Sequence, residues 1–76
     1  MPPSVRHLPK RLGDTIRELR LARDLTQMAL AEAAGLTLNF VGEVERGESL
    51  ASVETVVRIA NGLGVTGAEL LKTAGL

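Results

Sequence analysis

Apolar residues recur at intervals of three and four positions along most of the chain, which is the spacing of one face of an amphipathic helix. In the first segment Leu12, Ile16 and Leu19 follow this spacing while charged residues fill the other faces, which predicts a helix over about residues 9–23. Shorter segments with the same spacing follow, and none alternates apolar and polar residues as a half-buried strand does. The pattern predicts an all-α fold of five short helices in one bundle.

Hydroxyl side chains and glycines mark where the later helices begin and end. A Ser or Thr before a helix accepts a hydrogen bond from a free amide of the first turn, and a glycine after it adopts the left-handed conformation that ends the helix. The predicted N-caps are Thr26, Thr37, Ser52 and Thr66. The predicted terminators are Gly35, Gly47, Gly62 and Gly64. The residues predicted to face the core from the fourth helix are Val53, Val56, Val57, Ala60 and Leu63.

Composition excludes several classes of protein. An apolar fraction of 45% is too high for a disordered chain, and the absence of cysteine excludes disulfides and thiolate zinc sites. The single histidine, His7, cannot form a metal site by itself. The chain shows no nucleophile paired with a base and no phosphate-binding loop. Neither an enzymatic activity nor a metal or cofactor is therefore expected. Its uncharged runs are too short to cross a membrane, which predicts a soluble, cytoplasmic protein.

The net charge is zero, but the charges are segregated along the chain. Residues 1–23 carry six Lys and Arg against two Asp and Glu, whereas residues 24–76 carry three against seven. The N-terminal third can therefore face a polyanion. Residues 1–8 contain prolines and no periodicity, so they are predicted to form a flexible arm ahead of a single domain over residues 9–76.

The second and third predicted helices are separated by a three-residue turn that contains Gly35, which is the signature of a helix-turn-helix. Ala31 is a small residue where the two helices would cross. The motifs "LGDTIRELR", "LTQMALAEAAGLT", "FVGEVERGE" and "SVETVVRIANGLGV", followed by "ELL", resemble the Cro and phage-repressor type of helix-turn-helix domain, also called Xre-like. This resemblance covers nearly everything from Leu12 to Leu71. It implies a five-helix DNA-binding domain, mostly dimeric in this family.

Glu45 lies at the C-terminal end of the third predicted helix, where the helix dipole disfavours an acid. In this family an arginine near the end of the first helix meets such an acid, and the matching residue is Arg20. A guanidinium can donate two parallel hydrogen bonds to a carboxylate, so a partly buried pair is predicted. The alternative is that both are solvated surface charges.

The resemblance also implies which residues read DNA. The third helix of such domains enters the major groove with its N-terminal residues at the base edges. The outward residues predicted to contact DNA are Thr37, Leu38, Asn39, Gly42 and Glu43. Among them Asn39 can bond adenine, Leu38 can touch a thymine methyl group, and Glu43 can accept from cytosine.

Phosphate contacts are predicted mainly outside the third helix, because Leu38 and Glu43 offer no positive charge there. Gln27, which begins the second helix, is expected to contact a phosphate and to support the third helix; the alternative is a plain surface amide. The cations expected to contact phosphates are Arg46, Arg17 and Arg23, together with Arg6, Lys10 and Arg11 of the N-terminal region. The alternative for that region is disorder.

The C-terminal segment carries more apolar residues than one face of a short helix can bury. A second copy of the chain is the predicted cover; the alternative is that Leu70 and Leu71 only close the monomer core. Leu50 is predicted to pack inward or to line a partner surface. A two-fold dimer would place two recognition helices about 34–36 Å apart on double-stranded DNA, opposite a near-palindromic operator.

The function predicted from these features is a sequence-specific, homodimeric regulator of transcription, either a phage-type repressor or a restriction–modification controller. A contact with RNA polymerase is expected only if the protein activates transcription. The alternative is an antitoxin-like or other protein-interaction module with weak DNA binding. The zero net charge favours it, as do Leu38 and Glu43, which give the third helix no positive charge there.

Overall fold

The computed structural model describes residues 7–76, which form five α-helices and no strand. The helices are α1 (Leu8–Ala22), α2 (Gln27–Ala34), α3 (Leu38–Glu45), α4 (Val53–Leu63) and α5 (Gly67–Thr73). The predicted all-α architecture is confirmed. Because α1 already begins at Leu8, that residue belongs to the helix and not to the predicted arm; residues 1–6 lie outside the described part of the chain.

The helix boundaries follow the local chemistry of the sequence. Each of the four later helices begins after a hydroxyl side chain that accepts a hydrogen bond from the third amide of the helix, and at Thr66 the Glu69 side chain completes a capping box. Gly35 and Gly64 end α2 and α4 with φ angles of +69° and +77°. Gly62, predicted as a terminator, lies inside α4 instead, where its hydrogen atom faces Leu30 of α2.

The core is aliphatic, as the near absence of aromatic residues requires. All five helices contribute to it, and Phe40 packs against it only partly buried. The largest side chains that are fully buried are Ile16, Leu30, Val41, Val44, Ile59 and Leu70. Since Leu70 is fully buried within one chain, it closes the monomer core and is not available to a second copy.

The predicted inner face of α4 is wrong at two positions. Val53 and Val57 are 82% and 44% exposed, whereas Ile59, which was not among the predicted core residues, is fully buried. Val56, Ala60 and Leu63 are buried as predicted. The apolar surface of α4 is therefore wider than the part that the chain's own core buries, and Val53 and Val57 lie at its exposed edge.

Close helix packing depends on glycine at one position of α1. A β-carbon on Gly13 would lie 2.7 Å from the carbonyl oxygen of Glu45 and closer still to that of Val44. Only a glycine lets α1 approach the last turn of α3 so nearly. α1 thus packs against the C-terminal end of α3, while α2 packs mainly against α4.

Candidate nucleic-acid interface

α2, a short turn and α3 form the two-helix unit on which the candidate site is built. Gly35 adopts the left-handed conformation, and the Leu36 amide donates to the Ala31 carbonyl oxygen at 2.9 Å, which closes the turn. Ala31 is buried. Thr37 then caps α3 by accepting a hydrogen bond from the Phe40 amide. The turn therefore fixes the direction in which α3 leaves α2.

A buried network holds the end of α3. Arg20 Nε donates to Glu45 Oε2 at 2.7 Å and Arg20 Nη2 to Glu45 Oε1 at 3.1 Å, so the pair has the fork geometry of two parallel hydrogen bonds. The remaining Nη1 of Arg20 donates to the Leu25 carbonyl oxygen at 2.7 Å. Arg20 and Glu45 are 7% and 5% exposed, which places the pair inside the protein rather than among solvated surface charges.

Gln27 joins the same network from the start of α2. Its Nε2 donates to Glu45 Oε1 at 3.1 Å, so one carboxylate receives hydrogen bonds from both α1 and α2. The side chain is half-buried. It supports α3 directly, and it lies beside the first amides of α2, where an anion can bind.

The N-terminal turn of α3 is open to solvent. Thr37, Leu38 and Asn39 are all exposed, and Leu38 keeps 42% of its surface accessible. An exposed leucine next to an exposed asparagine can contact a thymine methyl group and a base edge. All three residues lie next to one another in the sequence at the exposed start of α3.

The structure corrects the outward position predicted for Gly42. This residue is buried, because the Arg46 guanidinium and the Gln27 side chain lie over the place where its β-carbon would be. In this arrangement Gly42 makes room for Arg46, whose side chain covers it. Glu43, one position later, is half-buried and accepts a hydrogen bond from Ser49 Oγ at 3.0 Å.

The predicted phosphate-binding arginines are in different situations. Arg17 is exposed and has no ion pair within residues 7–76, and by helical spacing it shares a stripe of α1 with Gly13 and Arg20, which face α3. Arg23 is exposed and donates to the Leu19 carbonyl oxygen. Arg46, by contrast, is held by Glu48.

The N-terminal cations that were predicted to contact phosphates have partners within the chain where the structure describes them. Lys10 and Arg11 belong to α1; Lys10 lies 3.4 Å from Asp14, and Arg11 Nη2 donates to the Gly75 carbonyl oxygen at 3.2 Å. Arg11 therefore ties α1 to the C-terminal end of the chain. Arg6 lies outside the described residues.

Two polar residues of the site were missed by the sequence reasoning, Glu48 and Ser49. Each bonds a side chain of α3, Arg46 and Glu43 respectively. Helical spacing gives no signal for Glu48, because residues two apart do not face each other on a helix. Both lie beyond the end of α3, and only the course of the chain after Gly47 brings them back.

A second surface is an apolar groove formed by residues of α1, the loop before α4, α4, α5 and the C-terminal residue, with a cavity volume of about 460 Å³. Leu71 and Leu76 are 36% and 40% exposed there, and Leu50 is 73% exposed. Leu50 thus does not pack inward. The leucines and valines of the lining that are exposed or half-buried are Leu8, Leu50, Val53, Val57, Leu71 and Leu76.

Comparison with known proteins identifies the class of this fold. The family model described as "Helix-turn-helix domain" matches residues 11–72, so the chain belongs to this family. Control protein C.SmaI of Serratia marcescens is 34% identical over 65 residues, covering 86% of this chain and 77% of the relative. The transcriptional regulator SutR of Escherichia coli K12 is 39% identical over 59 residues; they are 78% of this chain and 33% of SutR, so the similarity spans only about a third of that protein.

Solved structures give the same assignment. The restriction-modification controller protein C.AhdI of Aeromonas hydrophila superimposes with a TM-score of 0.79 at 37% identity, covering 82% of this chain and 94% of that one. Its similarity extends over nearly the whole controller protein. Within residues 7–76 no helix has the length and apolar character needed to span a membrane.

Proposed function

We propose that this chain is a homodimeric, sequence-specific regulator of transcription that binds a near-palindromic operator, in the manner of a phage-type repressor or a restriction–modification controller. The observation that carries the proposal is the exposed tip of α3, Thr37 to Asn39, on a helix whose other end is fixed by the buried Arg20–Glu45 pair. A rigid helix with an exposed, unpaired N-terminal turn can enter a major groove without rearrangement.

Base contacts fall to the residues at the tip of α3. Asn39 has the amide group that pairs bidentately with adenine, and Leu38 offers apolar contact to a thymine methyl group. Glu43, fixed by Ser49, keeps acceptor capacity for a cytosine amine because a carboxylate has two oxygens. We infer that the operator half-site contains A·T pairs near the tip and a G·C pair further along α3.

Phosphate contacts position the domain. The amides of Gln27 and Met28 come before the first hydrogen bonds of α2, so they can donate to a phosphate together with the Gln27 side chain. Arg17 and Arg23 lie exposed on α1. Because Arg46 is paired with Glu48, the positive charge that is available without an exchange of partners comes from α1, and the sequence-reading groups come from α3.

A second copy of the chain is the partner we assign to the apolar groove. Groove residues Leu50, Val53 and Leu71 come from the loop before α4, from α4 and from α5, so one self-complementary face can cover them all. This face borders the core, since the buried residues Leu12 and Val56 lie at its floor. With a two-fold axis there, we expect α3 of each chain to stay free for DNA. The proposed site of action is the cytoplasm.

The proposal is tested by selecting duplexes from a random pool and measuring affinity by fluorescence anisotropy over a series of salt concentrations. We expect a near-palindromic consensus and an affinity that falls steeply with salt. Asn39→Ala should weaken operator binding by about 1–3 kcal/mol and relax one position of the consensus. Asn61→Ala, an exposed asparagine of α4, is the matched control and should bind normally. Selection without any consensus would contradict sequence-specific binding.

A further inference from the structure

Arg46, at the end of the recognition helix, is already occupied by a carboxylate. Its Nε donates to Glu48 Oε2 at 2.9 Å and its Nη2 to Glu48 Oε1 at 3.1 Å. Two parallel hydrogen bonds from one guanidinium are the arrangement by which arginine also binds a phosphate. Glu48 therefore occupies the N–H donors of Arg46 that a DNA phosphate would otherwise accept from.

The backbone after α3 places Glu48 in this position. The helix ends at Glu45, Gly47 adopts a left-handed φ of +74°, and the Glu48 amide donates to the Glu43 carbonyl oxygen at 2.9 Å. The chain thus folds back onto the last turn of α3. A hydrogen-bonded turn thus places the backbone of Glu48 close to Arg46, within reach of its side chain.

Both side chains lie on the surface, where an exchange of partners is feasible. The side chains of Arg46 and Glu48 are 58% and 56% exposed. Glu43 adds a second negative charge near the same guanidinium, and the hydrogen bond from Arg46 together with its charge lowers the pKa of Glu48. Glu48 is therefore ionised at neutral pH and competes as a full negative charge.

We propose that Glu48 acts as an internal substitute for a DNA phosphate: it holds Arg46 in the free protein, must be displaced when Arg46 contacts the backbone, and so limits affinity for every duplex. This inference rests on the proposed function, since it assigns a residue that sets the strength of that same DNA contact. Phosphate contacts carry no sequence information, so operator and unrelated DNA should be affected alike. Glu48 is thus an affinity-limiting residue and not a base reader.

The size of the effect follows from the exposure of the pair. Exposed ion pairs are weak, so we expect the exchange of partners to change binding only about two- to five-fold per chain. While Glu48 cancels its charge, Arg46 contributes little to counterion release. Removing the carboxylate should therefore steepen the plot of log affinity against log salt by about 0.9 for each chain on the DNA.

The test is a double-mutant cycle of Glu48→Gln, Arg46→Gln and the combined variant, each measured on operator and on a scrambled duplex of the same length over a salt series. We expect Glu48→Gln to tighten binding to both duplexes about two- to five-fold per chain and to steepen the salt dependence. Arg46→Gln should weaken both, and in its background Glu48→Gln should change nothing. Glu32→Gln, an exposed acid of α2, is the control for a general loss of negative charge.

Each other outcome overturns the inference. If Glu48→Gln tightens binding equally with and without Arg46, Glu48 acts only by general repulsion. If it changes nothing while the wild-type chain binds its operator, or if Arg46→Gln leaves the affinity unaltered, Arg46 is not released to a phosphate; the proposed function then stands without this device. If the wild-type chain binds no duplex even at low salt, the proposed function and the inference both fall.

Discussion

Glu45 shows how one buried carboxylate can fix the C-terminal end of α3 against α1 and α2. It accepts hydrogen bonds from Arg20 twice and from Gln27 once, so side chains of α1 and α2 meet at the two oxygens of one α3 carboxylate. No buried side-chain nitrogen or oxygen atom of the described chain is left without a partner. Because every group in the network is satisfied, the network can stabilise one arrangement of the three helices.

Removing the Glu45 carboxylate should therefore unfold much of the protein. Glu45→Ala leaves the buried Arg20 guanidinium without its counter-charge, a loss of about 3–5 kcal/mol. A domain of this size has a total stability of roughly 4–11 kcal/mol. We expect the urea midpoint, followed by circular dichroism, to fall sharply, whereas Glu32→Ala on the surface of α2 should stay within about 0.5 kcal/mol of wild type. An unchanged midpoint for Glu45→Ala would show that the network does not contribute to stability.

The ionisation of Glu48 gives a second test at the scale of a single residue. The hydrogen bond from Arg46, followed by the charge of Arg46, lowers the pKa of Glu48 below its ordinary value. A lowered pKa contributes stability above the unfolded-state pKa and loses it as pH falls through the folded-state value, so the contribution is present at neutral pH. Carboxyl chemical shifts followed by NMR during an acid titration should show this lowered pKa.

The matched variant for that titration is Arg46→Gln, which keeps a hydrogen-bond donor but removes the charge. We expect the pKa of Glu48 to rise toward its ordinary value in this variant. Identical Glu48 titration curves in both proteins would mean that the pair does not form in solution.

At the scale of the helices, most of the helix boundaries could be predicted from the local sequence. Thr26, Thr37, Ser52 and Thr66 each cap the helix predicted to follow them, because capping depends only on neighbours in the sequence. The inner face of α4 could not be predicted as well. With Val53 and Val57 on one side and Ile59 on another, the periodicity fits two faces, and only tertiary packing decides which one is buried.

The approach of α1 to α3 leads to a prediction at Gly13. A β-carbon there would press on backbone carbonyl oxygens of Val44 and Glu45, which cannot move aside as a flexible side chain can. We expect Gly13→Ala to destabilise the fold by about 1–3 kcal/mol in urea denaturation, despite the better helix propensity of alanine.

The control for this substitution is Gly67→Ala at the start of α5. A β-carbon on Gly67 would meet only Val57 and Val56, at 3.6 and 3.9 Å, which are ordinary contact distances. This variant should be neutral or more stable by up to about 1 kcal/mol. Should Gly13→Ala behave like Gly67→Ala, the tight contact between α1 and α3 would be disproved.

At the scale of the whole molecule, the sequence was informative where a contact is imposed by simple electrostatics. An acid at the C-terminal end of a helix requires a cation, and the resemblance indicated Arg20, which is the residue in contact. The Arg46–Glu48 contact could not be foreseen in this way, because it depends on the turn at Gly47. Likewise, the burial of Gly42 depends on where the long side chains of Arg46 and Gln27 lie.

The apolar groove carries the last prediction, which concerns assembly. Leu71 lies in the groove with 36% of its surface exposed, and a charge there would be buried without a partner in any dimer that uses this face. We expect sedimentation to show a dimer for the wild-type chain and a monomer for Leu71→Glu, with unchanged helix content. Met28→Glu is the matched control, since Met28 is also an exposed apolar residue but lies on α2 outside the groove.

Monomeric Leu71→Glu protein should also lose its preference for paired half-sites. A dimer binds two half-sites with one association step, whereas separate monomers bind each half-site independently and more weakly. In the variant, an operator with two half-sites should therefore bind no more tightly per chain than a single half-site. If Leu71→Glu stays dimeric, the interface lies elsewhere on the molecule. If it is monomeric but still binds the intact operator with wild-type affinity, reading of DNA by this domain does not depend on pairing through the groove.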